Sequence, residues 1–134
     1  MWKLEKFSSR TCDANIRSNL LTVVPNATYW VGDGVINSSN YNEEHYGDSY
    51  TGRATTYVYC SSNITYSTTF MTDDAGALFI NGSLVATVAS CAPTAVTIPF
   101  VKGINCIEAF YTEGAGGDGW AFSPALNSHI GQYF

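Results

Sequence analysis

The chain has 134 residues, 46% of them hydrophobic and only 13% charged, with a formal net charge of −5. That length fits one ordinary domain with a real core. The negative charge argues against a nucleic-acid partner, and the apolar content against a disordered tail. No apolar run approaches the roughly 20 residues that a membrane-crossing helix needs, so membrane insertion is not expected. Charged residues fall well below the roughly 25% usual in soluble domains. Ser, Thr, Asn, Gly and Tyr take their place, a mixture that favours strands and polar loops.

The first residues, MWKLEKFSSRTCDANIRSN, are mixed and charged and lack the apolar centre of a secretory leader. An excised module or a virion protein fits a sequence of extracellular character that starts this way. No linker, repeat or low-complexity tract divides residues 1–134, which read as a single domain. Trp2 and Trp30 sit in strand-like runs and are expected in the core. Residues 20–24 (LLTVV) and 28–31 (TYWV) are expected strands on either side of Pro25 and Asn26. Residues 37–52 form a long polar stretch containing Tyr41, Tyr46 and Tyr50. A loop of that length is functional or carries short structure of its own, so the tyrosines either build a recognition surface or pack the loop onto a sheet.

Residues 54–60 (ATTYVYC) are rich in β-branched and aromatic types. In 64–70, Ile64, Tyr66 and Phe70 alternate with polar residues and share one face. Residues 77–80 and 83–88 flank Asn81-Gly82, the pair that supplies the positive φ angles of a type I′ turn. This hairpin is preferred for Asn81 over its role in a glycan acceptor pattern. Residues 94–98 and 104–112 complete the set, with Ile107, Ala109 and Tyr111 on one face. No segment shows sustained helical periodicity. Many short strands separated by turn signals predict an all-β fold, an antiparallel β-sandwich or jelly roll.

Cys12, Cys60, Cys91 and Cys106 form no CxxC pair, which disfavours a zinc knuckle. Buried free thiols and any of the three possible disulfide connectivities remain open. His45 and His129 lack metal-ligand spacing and read as structural or surface groups. No G-x-S-x-G or HExxH motif is present.

Two loops carry chemistry. Asp73-Asp74 lies between a strand-like run and the hairpin. Successive side chains of a regular strand point to opposite faces, so both carboxylates reach one ion only if the backbone bends sharply, as at a non-proline cis peptide. An exposed acidic turn is the plainer alternative. The second loop runs from Glu113 to Trp120, EGAGGDGW. Its GxGxxG spacing is not a dinucleotide fingerprint, because Pro124 discourages the following helix and no βαβ unit surrounds it. Glu113 and Asp118 would also repel a phosphate. Glycines instead let backbone carbonyls turn toward a cation, with carboxylates completing the shell; a flexible hairpin loop is the competing reading. Trp120 offers a flat face on which the C–H side of a sugar could stack, or else packs in the core.

At these loops the sequence resembles the anthrax protective antigen-type β-sandwich domain, a group that includes yeast flocculins, epithelial adhesins and bacterial ice-adhesion lectins. TTFMTDDAGALFINGSLVATV resembles its central motif, in which a strand is followed by two Asp, an apolar strand and an Asn/Asp-Gly turn. Residues 103–114 followed by AGGDGW resemble its later motif. The likeness covers Thr68 to Trp120. It implies calcium (Ca2+) as cofactor, with Asp73, Asp74 and Asp118 as metal ligands. Carbonyls near Gly117 and Trp120 would assist, and sugar hydroxyls would complete the shell.

The expectation is a non-enzymatic, calcium-dependent carbohydrate-binding module. Glu113, Gly117 and Trp120 would contact a glycan or cell-surface saccharide. Such a module belongs on a cell-surface adhesin or a virion fibre, extracellular or on the virion surface, in an oligomer or larger assembly that multiplies weak sites. The alternative is a structural virion decoration or fibre-attachment protein with no sugar site. A glycosidase is disfavoured, since no separate acid stands out beside the Asp pair.

Overall fold

A computed structural model describes residues 2–31, 38–39, 49–89, 92–115, 119–123 and 131–133. Its strands are β1 (Trp2–Ser8), β2 (Ala27–Val31), β3 (Ser38–Ser39), β4 (Tyr50–Cys60), β5 (Ile64–Asp73), β6 (Gly76–Ile80), β7 (Ser83–Val88), β8 (Thr94–Phe100), β9 (Gly103–Glu113), β10 (Gly119–Ser123) and β11 (Gly131–Tyr133). One five-residue helix, α1 (Ile16–Leu20), interrupts them. Two antiparallel sheets result. The larger has the order β2-β1-β4-β9-β6-β7, with β11 also on β4, and the smaller has β3-β10-β5-β8. This is the all-β sandwich expected from the strand signals. No helix among the described residues is long and apolar enough to cross a membrane.

The main core lies between the sheets. Leu4, Ala54, Leu78, Ile107, Ala109 and Tyr111 meet Phe70, Ile98, Phe100, Trp120 and Phe122. The alternation of β5 turns Phe70 inward, with Ile64 and Tyr66 partly buried on the same side. The hairpin forms at Asn81-Gly82, with φ of 51° and 82°. Its asparagine side chain is occupied: Nδ2 donates to Asn105 Oδ1 at 2.9 Å, and Oδ1 accepts the Cys106 N–H at 2.8 Å.

A second apolar cluster sits on the outer face of the larger sheet. Ile16 and Leu20 of α1 cover Phe7, Ala77, Phe79 and Phe110 together with Cys12. This corrects the expected strand at 20–24. Ile16 and Leu20 are four residues apart and so point the same way from a helical turn, and the outer face of β1, β6 and β9 supplies the apolar surface that they bury. The chain then leaves as a turn, with Leu21 and Val24 exposed. Tyr50, placed by sequence in the long loop, instead opens β4 and is fully buried. Tyr41 and Tyr46 lie outside the described residues, as do Cys91, His45 and His129. Cys12, Cys60 and Cys106 carry free thiols. Burial, with Asp13 beside it, pushes the Cys12 thiol up to about 12, so it stays protonated at neutral pH.

Trp30 also departs from expectation. Trp2 is in the core, but Trp30 is 57% exposed. The register explains it. Trp2 pairs with Val31 and Lys3 with Trp30, so Trp30 shares the outward face of Lys3, and β2 ends the strand order of the larger sheet.

Candidate functional site

The acidic pair stands where the chain changes sheets. β5 belongs to the smaller sheet and β6 to the larger, so residues 73–76 cross from one to the other. β9 and β10 make the reverse crossing across residues 113–119. The two crossings are neighbours at one rim, because Gly76 pairs with Tyr111 in one sheet and Asp73 with Gly119 in the other. Backbone hydrogen bonds tie the first crossing to the end of β9: the Asp74 N–H donates to the Thr112 carbonyl and the Thr112 N–H to the Ala75 carbonyl, both at 2.8 Å. The Thr72 hydroxyl donates to the Asp74 carbonyl at 2.9 Å.

The Asp73-Asp74 peptide is cis. Asp73, Asp74 and Glu113 each place a carboxylate oxygen within 4.8 Å of the others. Asp73 and Asp74 are half-buried, whereas Glu113 is 2% exposed. Asp74 Oδ2 accepts the Gly114 N–H at 2.9 Å, which ties the first crossing to the start of the glycine-rich loop. The Gly114 carbonyl in turn accepts from the Ser49 N–H at 2.9 Å and from the Ser49 hydroxyl at 3.3 Å. The tyrosine-rich stretch therefore returns to β4 beside this cluster.

Gly76 sets how closely the crossing approaches β9. A Cβ there would lie 2.5 Å from Thr72 Cγ2 and 2.6 Å from the backbone oxygen of Phe110. The backbone oxygen cannot give way as a flexible side chain would. Gly76→Ala is therefore expected to lower stability by about 1–3 kcal/mol in urea unfolding, and an unchanged midpoint would contradict this close packing.

Three carboxylates this close repel one another. Each pair at about 5 Å costs about 1 kcal/mol in water and about 3–4 kcal/mol at the effective dielectric of a protein. The donor set is all oxygen, which a hard cation prefers. Calcium bonds oxygen at about 2.3–2.6 Å, so oxygens on opposite sides of one ion stand about 5 Å apart. The spacing of Asp73, Asp74 and Glu113 fits that requirement. An open cleft of about 480 Å³ lies alongside, lined by Asp74, Ala75 and residues 112–114 on one side and by residues 9–12 on the other. The N-terminal wall, including exposed Arg10, has no signal in the sequence motifs. Arg10 N donates to Thr51 Oγ1 at 2.7 Å and the Thr51 hydroxyl donates to the Arg10 carbonyl at 3.2 Å, and these bonds hold the segment against β4.

Of the residues expected at the site, the structure brings Asp73, Asp74 and Glu113 together. Asp118 and Gly117 lie outside the described residues. Trp120 is a correction. It is 1% exposed, and its ring packs against Trp2 at a centroid distance of 4.3 Å and against Phe122 at 5.7 Å. Stacking on a sugar needs an open face, and the strand alternation of β10 points this ring into the core.

No protein-family profile and no curated protein matches the sequence. Solved structures match the fold. A β-glucosidase from Kluyveromyces marxianus in complex with glucose is 12% identical over 99% of the chain, with a TM-score of 0.63. The A domain of epithelial adhesin 9 from Candida glabrata, in complex with Galb1-4GlcNAc, is 11% identical. That match covers 96% of this chain and 84% of the adhesin domain, with a TM-score of 0.62. The PA14 sugar-binding domain from an RTX adhesin is 11% identical, over 98% of this chain and 93% of that domain, with a TM-score of 0.56. The chain spans only 16% of the β-glucosidase and 41% of an anti-sigma factor domain-containing protein that it also resembles. The fold is thus PA14-like, and identities this low establish the fold alone.

Proposed function

We propose that residues 1–134 form a single non-enzymatic, calcium-dependent carbohydrate-binding module of an adhesin-like surface protein. It would act outside the cell or on a virion surface and bind a glycan or cell-surface saccharide, with copies displayed together to raise avidity. The observation that carries this reading is the convergence of Asp73, Asp74 and Glu113 at the rim where both crossings meet. Two neighbours of the same fold, the C. glabrata adhesin domain and the RTX adhesin domain, are described as binding sugar.

In this reading Asp73, Asp74 and Glu113 hold Ca2+, and Asp118 adds a side chain from the second loop, with Gly117 lending its carbonyl. When bound, the ion supplies open positions for vicinal hydroxyls. The chain's own residues orient the site: the Gly114 N–H holds one oxygen of Asp74, and Ser49 anchors Gly114. The cleft beside Asp74 gives the rest of the saccharide somewhere to lie. Glycoside hydrolysis uses two carboxyl groups on either side of the scissile bond, whereas here a third converges on the same point. Three carboxylates converging on one point suit an ion better.

Calcium at 100 times its dissociation constant stabilises a protein by about 2.7 kcal/mol. For a chain of this size that raises Tm by roughly 5–10 °C. Magnesium, which demands stricter octahedral geometry and gives up its water reluctantly, should shift Tm less. Thermal melts in calcium, magnesium and chelator, paired with a glycan array read with and without calcium, test the reading. An unmoved Tm together with no calcium-dependent glycan signal rejects it.

A further inference from the structure

A second groove lies on the outer face of the larger sheet, away from the acidic rim. It has a volume of about 410 Å³, and its walls and floor include Trp30, Tyr57, Glu5, Arg53, Glu108 and Arg17. The register builds it. Trp30, Lys3, Thr55 and Glu108 are successive partners across β2, β1, β4 and β9. Tyr57 stands two residues beyond Thr55 on the same face of β4. Trp30 is 57% exposed and Tyr57 42% exposed. They stand two strand spacings apart across the sheet and two residues apart along it, about 12 Å in all, which is roughly the span of two pyranose rings.

The floor between them is polar and ion-paired. Glu5 is buried, with Oε1 3.0 Å from Lys3 Nζ and Oε2 accepting from Arg53 Nε at 2.8 Å. Glu108 is also buried and accepts from Arg17 Nε at 2.8 Å. The Arg53 guanidinium lies 5.1 Å over the Phe7 ring, which fixes its plane. Carboxylates and cations thus nearly balance, and each is held in place by its neighbour.

We infer that this groove is a second saccharide site, independent of metal, that takes a neutral sugar against Trp30 and Tyr57. A wholly apolar partner would strip water from the ion pairs without replacing its hydrogen bonds. An acidic partner meets Glu5 and Glu108, and a basic one meets Lys3, Arg17 and Arg53. A neutral sugar carries hydroxyls that both donate to the carboxylates and accept from the cations, and a C–H face that covers an exposed indole. Bound sugar would cover the exposed part of the Trp30 ring.

The test uses the whole chain in excess chelator, which silences any calcium site. The probe is a printed array of neutral oligosaccharides, followed by titration of each hit in solution. Trp2 and Trp120 are buried, so acrylamide quenching of tryptophan fluorescence reports mainly on Trp30. Wild-type protein should bind neutral oligosaccharides in chelator and lose quenching as they are added. Trp30→Ala and Tyr57→Ala should each weaken binding at least tenfold with unchanged circular dichroism. Tyr57→Ala alone decides the matter if Trp30→Ala does not fold. No binding in chelator overturns the proposal, as does equal binding by the aromatic variants. Loss of quenching on raising protein concentration without sugar would show the face covered by a second copy and would likewise overturn it. Failure here leaves the calcium site untouched, because that site is read from the chelator-sensitive signal.

Discussion

Asp74→Asn is expected to abolish calcium-dependent glycan retention while leaving the domain folded. The substitution is nearly isosteric, and the amide oxygen of asparagine still accepts the Gly114 N–H that Asp74 Oδ2 now accepts at 2.9 Å. What disappears is one negative charge from a cluster whose oxygens lie within 4.8 Å of one another. Calcium affinity scales with the charge and number of its oxygen ligands, so a loss on the order of 100-fold is expected. Stability should move the other way without calcium. Removing one carboxylate relieves repulsion of about 1–4 kcal/mol per pair, so in chelator the variant should melt no lower than wild type. Adding calcium should then raise the Tm of the wild type only. Asp74→Ala serves as the harsher comparison, since it also leaves the Gly114 N–H without its acceptor. If Asp74→Asn keeps both the calcium-induced rise in Tm and full glycan retention, the acidic rim is not the binding site.

Trp120→Ala is expected to produce the largest loss of stability, about 3–5 kcal/mol, or a fall in Tm of roughly 10–20 °C for a chain of this length. The ring is 1% exposed and packs between Trp2 and Phe122, so truncation opens a cavity that the two sheets cannot close. Trp120→Phe should cost far less. It keeps an aromatic ring in the stack, and it removes an indole Nε1 that is buried without a hydrogen-bond partner among the described residues. Such an unmet donor costs about 1–3 kcal/mol, which offsets part of the lost volume. Urea unfolding of both variants measures this ordering. Glycan affinity, corrected for the folded fraction, should be unchanged in Trp120→Phe. A stable Trp120→Phe that no longer retains glycan would restore the indole to the binding surface.

The contrast between these residues shows what kind of information the sequence held. The alternation in 64–70, the Asn81-Gly82 turn and the one-sided Ile107, Ala109 and Tyr111 are local signals, because a strand's side chains repeat every two residues and a type I′ turn needs positive φ at two positions. Those signals were sufficient for an all-β sandwich, and the adjacency of Asp73 and Asp74 was enough to mark an acidic turn. Periodicity could not place Leu20 or Trp30, since an apolar residue in a short run looks the same whether it faces a core, caps an outer face or meets solvent. Leu20 was decided by the surface that Phe79 and Phe110 present, and Trp30 by the register that sets it beside Lys3. The same holds for the site. Residues 73–74 and 113 are 40 positions apart in the chain, and no pattern in either segment states the distance between them. They meet because the first sheet-to-sheet crossing runs beside the end of β9 and exchanges backbone hydrogen bonds with Thr112. The sequence by itself determined which residue types stood ready to hold a cation. Only the tertiary structure decided that Glu113 joins the aspartates and that Trp120 does not face a ligand, because strand pairing across distant segments, rather than local preference, sets where side chains converge.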